Sequence, residues 1–234
     1  MVISVRIIAA FQKNKEISYI SHLDVQRTLQ RAFRRAELPL AYTNGFNPHP
    51  KLSFATALAT GFSSAAEWID LELEEEIVPE EFIRRVNSSL PGGLQFHTAF
   101  AGDETIDTLS KLLRGARYTI TLFPDAPLTK AELQDALGSM LDNQEIMVMK
   151  KTKGGNRLTN IRPEIIKAFV PETSDSLLQI ELIGTLTVSG GLRVENFLHA
   201  LFDRIGMTGY AQVHRISVCF DGTDKLPHLE KQEG

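Results

Sequence analysis

Only one cysteine, Cys219, occurs in the 234 residues, so no internal disulfide can form. A reducing compartment suits such a chain best. A single thiol also excludes an iron–sulfur cluster held by this chain alone. Metal-ligand spacing is missing too. The six histidines, His22, His49, His97, His199, His214 and His228, are scattered, with no HExxH pair, and no metal site is expected. A GxxxxGK[ST] phosphate loop is absent, and no cofactor is expected. No apolar run approaches the roughly 18 residues of a membrane span. The opening MVISVRIIAAF carries Arg6 inside its apolar stretch and reads as a strand, not a signal peptide. These absences point to a soluble cytoplasmic protein with no membrane partner.

What is present suffices for a packed fold. With 43% hydrophobic and 23% charged residues the chain can bury a core, as one large domain or two of about 100 residues each. The net charge of −4 conceals an asymmetry. Residues 1–51 hold eight Lys/Arg against three Asp/Glu, residues 67–81 eight acids and no base, and residues 150–167 six bases and one acid. Local fields of this kind steer anionic partners whatever the total charge.

Periodicity divides the chain into two similar halves. Ile3, Val5 and Ile7 alternate as a strand, and Ser21 with Asp24 has the spacing of a helix cap. Val25, Leu29, Ala32, Phe33 and Ala36 then form one helical stripe. Strands are expected over 51–58, 67–74 and 94–100, with a helix opened by Pro79 and ended by Pro91-Gly92-Gly93. The second half repeats the order. It has strands over 117–123, 145–151, 177–188 and 212–220, a capping box at Thr129 and Glu132, and a helical stripe from Val194 to Ile205 stopped by Gly206. The expectation is an α+β fold of tandem ferredoxin-like (βαββαβ) domains. They would occupy residues 1–101 and 117–220, joined by a 102–116 linker and followed by a polar tail over 221–234. One larger α+β domain is the alternative.

Three stretches could carry function. Arg27, Arg31, Arg34 and Arg35 fall within about 100° of one helical wheel, opposite the apolar stripe. The bland reading is a solvated face. Against it, the stripe is all arginine, whose fork fits phosphate bidentately. The loop TNGFNPHPK over 43–51 is stiffened by Pro48 and Pro50, which would hold Asn47, His49 and Lys51 in fixed positions, with Phe46 free to stack. A structural loop whose histidine caps a carbonyl is its bland reading. Lys150, Lys151, Lys153 and Arg157 surround Gly154-Gly155 as a basic hairpin tip, either a charged turn or a phosphate clamp. Ser21, His22 and Asp24 are not a catalytic triad, because capping occupies Ser21 and Asp24. His22 and His49 remain the candidates for acid–base chemistry. Alternation places Trp68, Asp70, Glu72 and Glu74 on the sheet face away from the core, an acidic surface unsuited to RNA.

The run Ser21-His22-Leu23-Asp24, then Arg34-Arg35, then Gly45-Phe46-Asn47-Pro48-His49-Pro50-Lys51, resembles the hallmark of the radical-SAM-linked domain family of unknown function, in its standalone form. Glu67-Trp68-Ile69-Asp70 and Leu90-Pro91-Gly92-Gly93 extend the similarity, which is specific over roughly the first 100 residues. Members of that family are fused to, or encoded beside, radical SAM proteins, often near genes for ribosomal proteins and an RNA-degrading enzyme. The resemblance therefore implies a radical SAM partner and work on RNA or ribosomes. The expected function is an RNA-binding accessory module for a structured RNA. The alternatives are a metal-independent endoribonuclease using His22 and His49, by fold analogy with the CRISPR repeat-processing enzymes, and a protein-interaction scaffold.

Overall fold

The computed structural model describes residues 5–102, 106–152, 155–172 and 177–221. The polar-tail expectation for 221–234 falls, beyond Asp221, outside the described residues. The fold is mixed α+β, and the chain divides into two compact units: Met1–Leu113 with Phe220–Gly234, and Arg114–Cys219.

In the first unit β1 (Val5–Lys13) leads to α1 (His22–Arg35). The Ser21 hydroxyl accepts the Asp24 amide at 3.2 Å, satisfying one of the amides that every helix start leaves without a partner. Then come β2 (Leu52–Phe54), β3 (Ser63–Leu73), α2 (Pro79–Asn87), β4 (Leu94–Gly102) and α3 (Leu109–Leu112). The strands lie in the order β4-β1-β3-β2, each neighbour antiparallel. The expected strand over 51–58 is reduced to three residues. The Arg85 guanidinium donates to the Ala36 and Glu37 carbonyls, closing the end of α1 where Glu37 takes φ 52°.

One face of this sheet packs on the helices. Ile7, Ala9 and Phe11 of β1 meet Leu29, Phe33, Phe82 and Phe96, with Phe82 edge-on to Phe96 at 5.5 Å. Each isoleucine, leucine or phenylalanine among them, once fully buried, contributes about 1.5–3 kcal/mol. The other face corrects the sequence expectation. Trp68 is 2% exposed, packed against Phe100 and Phe220 at 6.2 Å each. Asp70 is buried and receives Arg6 through two bonds, of 2.8 and 2.5 Å. Arg6 also donates to the Ile106 and Asp107 carbonyls, and Ile106, Leu109 and Leu113 are buried. Alternation had assigned the face correctly but carried no information about what covers it.

The second unit contains β5 (Leu113–Pro124), α4 (Lys130–Leu141), β6 (Met147–Thr152), β7 (Gly155–Asn160), β8 (Ile165–Phe169), β9 (Gln179–Thr187), β10 (Gly190–Gly191), α5 (Val194–Ile205) and β11 (Gly209–Phe220). Both bonds of the Thr129–Glu132 capping box are present. The strand order is β10-β9-β5-β11, with β8 also paired to β9. Here a second expectation fails. Residues 145–151 do not join that sheet; β6 pairs with β7 as a separate hairpin, and β8 lies beside β9 instead. A register shift between Ile165 and Lys167 breaks the alternation of β8, which hides it from a period-two reading. No helix among the described residues is long and apolar enough to cross a membrane.

His214, on β11, is expected to make this fold sensitive to acid. Burial pushes its imidazole below the ordinary 6.5. As pH falls through 6.5, the unfolded chain takes up a proton that the folded chain still refuses, so stability drops until the folded value is passed. Urea unfolding midpoints measured across this window should decline with acidity, and His214→Gln should flatten the decline. An equal slope in the variant would assign it to other groups.

Candidate functional site

The arginine face of α1 forms because Val25, Leu29, Ala32 and Phe33 turn inward. The four arginines are exposed but not equivalent. Arg27 binds Asp24 at 3.2 Å, and Asp24, which also accepts the Ser21 hydroxyl at 2.7 Å, is held below its ordinary range by Ser21 first and Arg27 next. Arg35 donates to the Ser89 carbonyl at 2.5 Å. Arg31 and Arg34 have no acid or other partner among the described residues. The four-residue cluster read from the sequence thus contains two arginines whose side chains bond inside the protein and two exposed ones with no such bond among the described residues.

The 43–51 loop is a protruding hairpin. The Thr43 amide donates to the His49 carbonyl at 2.9 Å, the His49 amide donates to the Thr43 hydroxyl at 3.0 Å, and Tyr42 bridges Pro50. It is therefore the backbone of His49 that closes the loop, leaving its ring exposed beside exposed Asn47. Gly45 sits at φ 130°, where a side chain would be strained. Phe46 is fully exposed, at 106%. Lys51 is already engaged: its ammonium meets Glu72 at 2.5 Å.

His22 is half-buried and edge-on to Phe54, ring centroids 4.7 Å apart. No contact between it and His49 is seen among the described residues. His22 instead lines a small cavity with Lys13, Glu67, Phe11 and Leu58. Lys13 and Glu67 are residues the sequence reading missed. They are 2% and 4% exposed. The Lys13 ammonium donates to the Ser18 and Ile20 carbonyls at 2.7 and 2.8 Å, fixing the turn that enters α1. Burial lowers its pKa, and the nearby Glu67 carboxylate opposes the shift. The signal was present: alternation puts Lys13 in register with Ile7, Ala9 and Phe11, and Glu67 with Ile69, Leu71 and Leu73. Two charged residues on core-facing positions of neighbouring strands imply buried charges that need partners.

In the second unit, Arg157 of β7 is exposed and stands opposite Lys150 of β6. Lys151 pairs through its backbone with Asn156. The Lys151 side chain and the whole of Lys153 lie outside the described residues. Among those described, no group of three or more His, Cys, Asp or Glu is arranged to hold a metal ion.

A protein with two α+β units, the first presenting an arginine helix and a stapled aromatic loop, is the class that this structure defines. The chain belongs to the family described as an uncharacterized protein conserved in bacteria (DUF2344), which matches residues 6–191. No curated protein matches it. Among solved structures it is similar to a chain from the crystal structure of a Cbf5–Nop10–Gar1 complex, at 10% identity and a TM-score of 0.55. That likeness covers 91% of this chain but 48% of the other, so this chain spans about half the length of that relative, and it bears on fold alone. Chlorite dismutase from Candidatus Nitrospira defluvii aligns over 98% of this chain and 94% of its own, at 12% identity and a TM-score of 0.24, too low to carry an argument.

Proposed function

We propose that this chain is an RNA-binding accessory module that acts with a radical SAM enzyme in RNA or ribosome modification. Both units are read as ferredoxin-like βαββαβ folds, the β6–β7 hairpin being an insertion in the second, and the protein works in the cytoplasm. The observation that carries the reading is the pair of exposed arginines, Arg31 and Arg34, without an acid partner among the described residues. Guanidinium groups left unneutralised on a rigid helix suit phosphate oxygens. The stapled loop adds Phe46 for stacking and Asn47 and His49 for base edges or phosphate, at little ordering cost. Arg27 and Arg35 contribute charge while keeping their internal bonds. Lys51 is held by Glu72 and Arg157 sits on the hairpin, so these two are secondary contacts, as are Lys151 and Lys153.

Purification of the native protein, with sequencing of bound RNA and identification of co-purifying proteins, tests the assignment. A structured RNA should be recovered, and a radical SAM protein should remain bound after nuclease treatment. No RNA binding by the purified chain at low salt would sink the proposal. His22 and His49 distinguish binding from cleavage. His49→Ala should weaken binding, while the wild type leaves RNA intact in EDTA. Cleavage at one position, reduced by the roughly 10²–10⁴-fold expected of a general acid or base in His49→Ala, would make the protein an endoribonuclease instead.

A further inference from the structure

The second unit carries a surface of opposite character to the arginine helix. Directly opposed residues of an antiparallel pair share a face. The register Met147↔Asn160 and Met149↔Leu158 therefore puts Met147, Met149 and Leu158 on one side of the β6–β7 hairpin. All three are exposed, Met149 to 60%. The two methionines line a cavity of about 440 Å³ together with His199, Phe202 and Asp203 of α5 and Met207 just beyond it. A second cavity, of about 450 Å³, shares Phe202, Asp203, Met207 and Thr208 with the first and runs on to Asp125. The two form one trough of mixed lining, with Asp203 where they meet and Asp125 at the far side of the second.

The walls and rim specify an occupant. Three of the chain's five methionines line this one trough. Thioether side chains are flexible and polarisable, and they repack around apolar anchors of varied shape. Asp125 accepts the Thr208 hydroxyl at 2.7 Å, whereas Asp203 has no partner among the described residues. An acidic segment or a phosphate backbone would meet these carboxylates as like charges. A segment with apolar residues on one face and lysine or arginine beside them would bury the methionines and neutralise Asp203.

We infer that the trough is a docking site for an amphipathic, basic helical segment of a partner protein, seated in the helix-in-groove manner. This inference does not depend on the RNA reading, because it uses other residues and the opposite charge.

The test uses the full-length protein with methyl-labelled methionine and two synthetic amphipathic helices, one of leucine and lysine, the other of leucine and glutamate. The lysine peptide should shift the methyl signals of Met147, Met149 and Met207 and leave that of Met140, which is buried in the core, in place. Asp203→Lys, a change at an exposed helix position, should weaken that binding and reduce its salt dependence, as expected for reversal of a rim charge. The glutamate peptide should leave the three signals unmoved. Equal shifts with both peptides, unchanged affinity in Asp203→Lys, or no shift with the lysine peptide would each overturn the inference. Shifts produced by RNA, or by raising the protein concentration alone, would likewise overturn it, assigning the trough to nucleic acid or to a second copy.

Discussion

Replacing Lys13 with methionine is expected to cost about 1–3 kcal/mol of stability for each buried group it leaves unsatisfied. The loss has two sources. Glu67 stays in the core without the ammonium nearby, and the Ser18 and Ile20 carbonyls lose the donor that fixed them. Desolvated groups left without partners cost more than their hydrogen bonds contribute when made. Adding Glu67→Leu to Lys13→Met should restore only the part of the loss that comes from Glu67, because the Ser18 and Ile20 carbonyls still lack their donor. Urea denaturation of the single and double variants measures both terms. A single variant within about 1 kcal/mol of wild type would mean that water satisfies the groups Lys13 leaves behind.

The double change Arg31→Ala with Arg34→Ala should produce the largest effect on RNA binding for the least disturbance of the fold. Neither side chain has a protein partner to lose among the described residues, whereas Arg27 is tied to Asp24 and Arg35 to the Ser89 carbonyl. Each lost phosphate contact lowers the slope of log K against log salt by about 0.7–0.9, so two should lower it by about 1.4–1.8. Extrapolated from 1 M to about 50 mM salt, that difference is roughly a 10²-fold loss of affinity. Binding isotherms at several salt concentrations read slope and affinity together. Weaker binding on an unchanged slope would point to a damaged fold and would remove these two arginines from the interface.

Much of the first unit was legible because its signals are local. The Ser21 cap, the inward stripe of α1 and the Pro79 start of α2 all follow from residues within a few positions of one another. The surroundings of Trp68 and Asp70 were not legible, because Arg6, Phe100, Phe220 and the 106–113 segment reach that sheet face from distant parts of the sequence. In the second unit the capping box and α5 were readable, but β8 was not, since a five-residue strand with a register shift has no clean period. The candidate site divides similarly. Sequence spacing put the arginines on one face and Phe46 in a rigid loop, but it could not distinguish Arg31 and Arg34 from Arg27 and Arg35, or see that Lys51 is held by Glu72. Those distinctions depend on partners brought close by folding.

Phe220 also has a bearing on the order in which the protein is made. It belongs to the first unit, where its ring lies 6.2 Å from Trp68 and the Asp221 amide beside it donates to the Leu112 carbonyl at 2.8 Å. More than a hundred residues, the whole second unit, emerge from the ribosome between Leu113 and Phe220. A nascent chain that has completed β4 and α3 therefore waits with the indole side of its sheet unfinished. Final closure of the amino-terminal unit therefore follows synthesis of the second, and until then Trp68 lacks the Phe220 ring that packs against it.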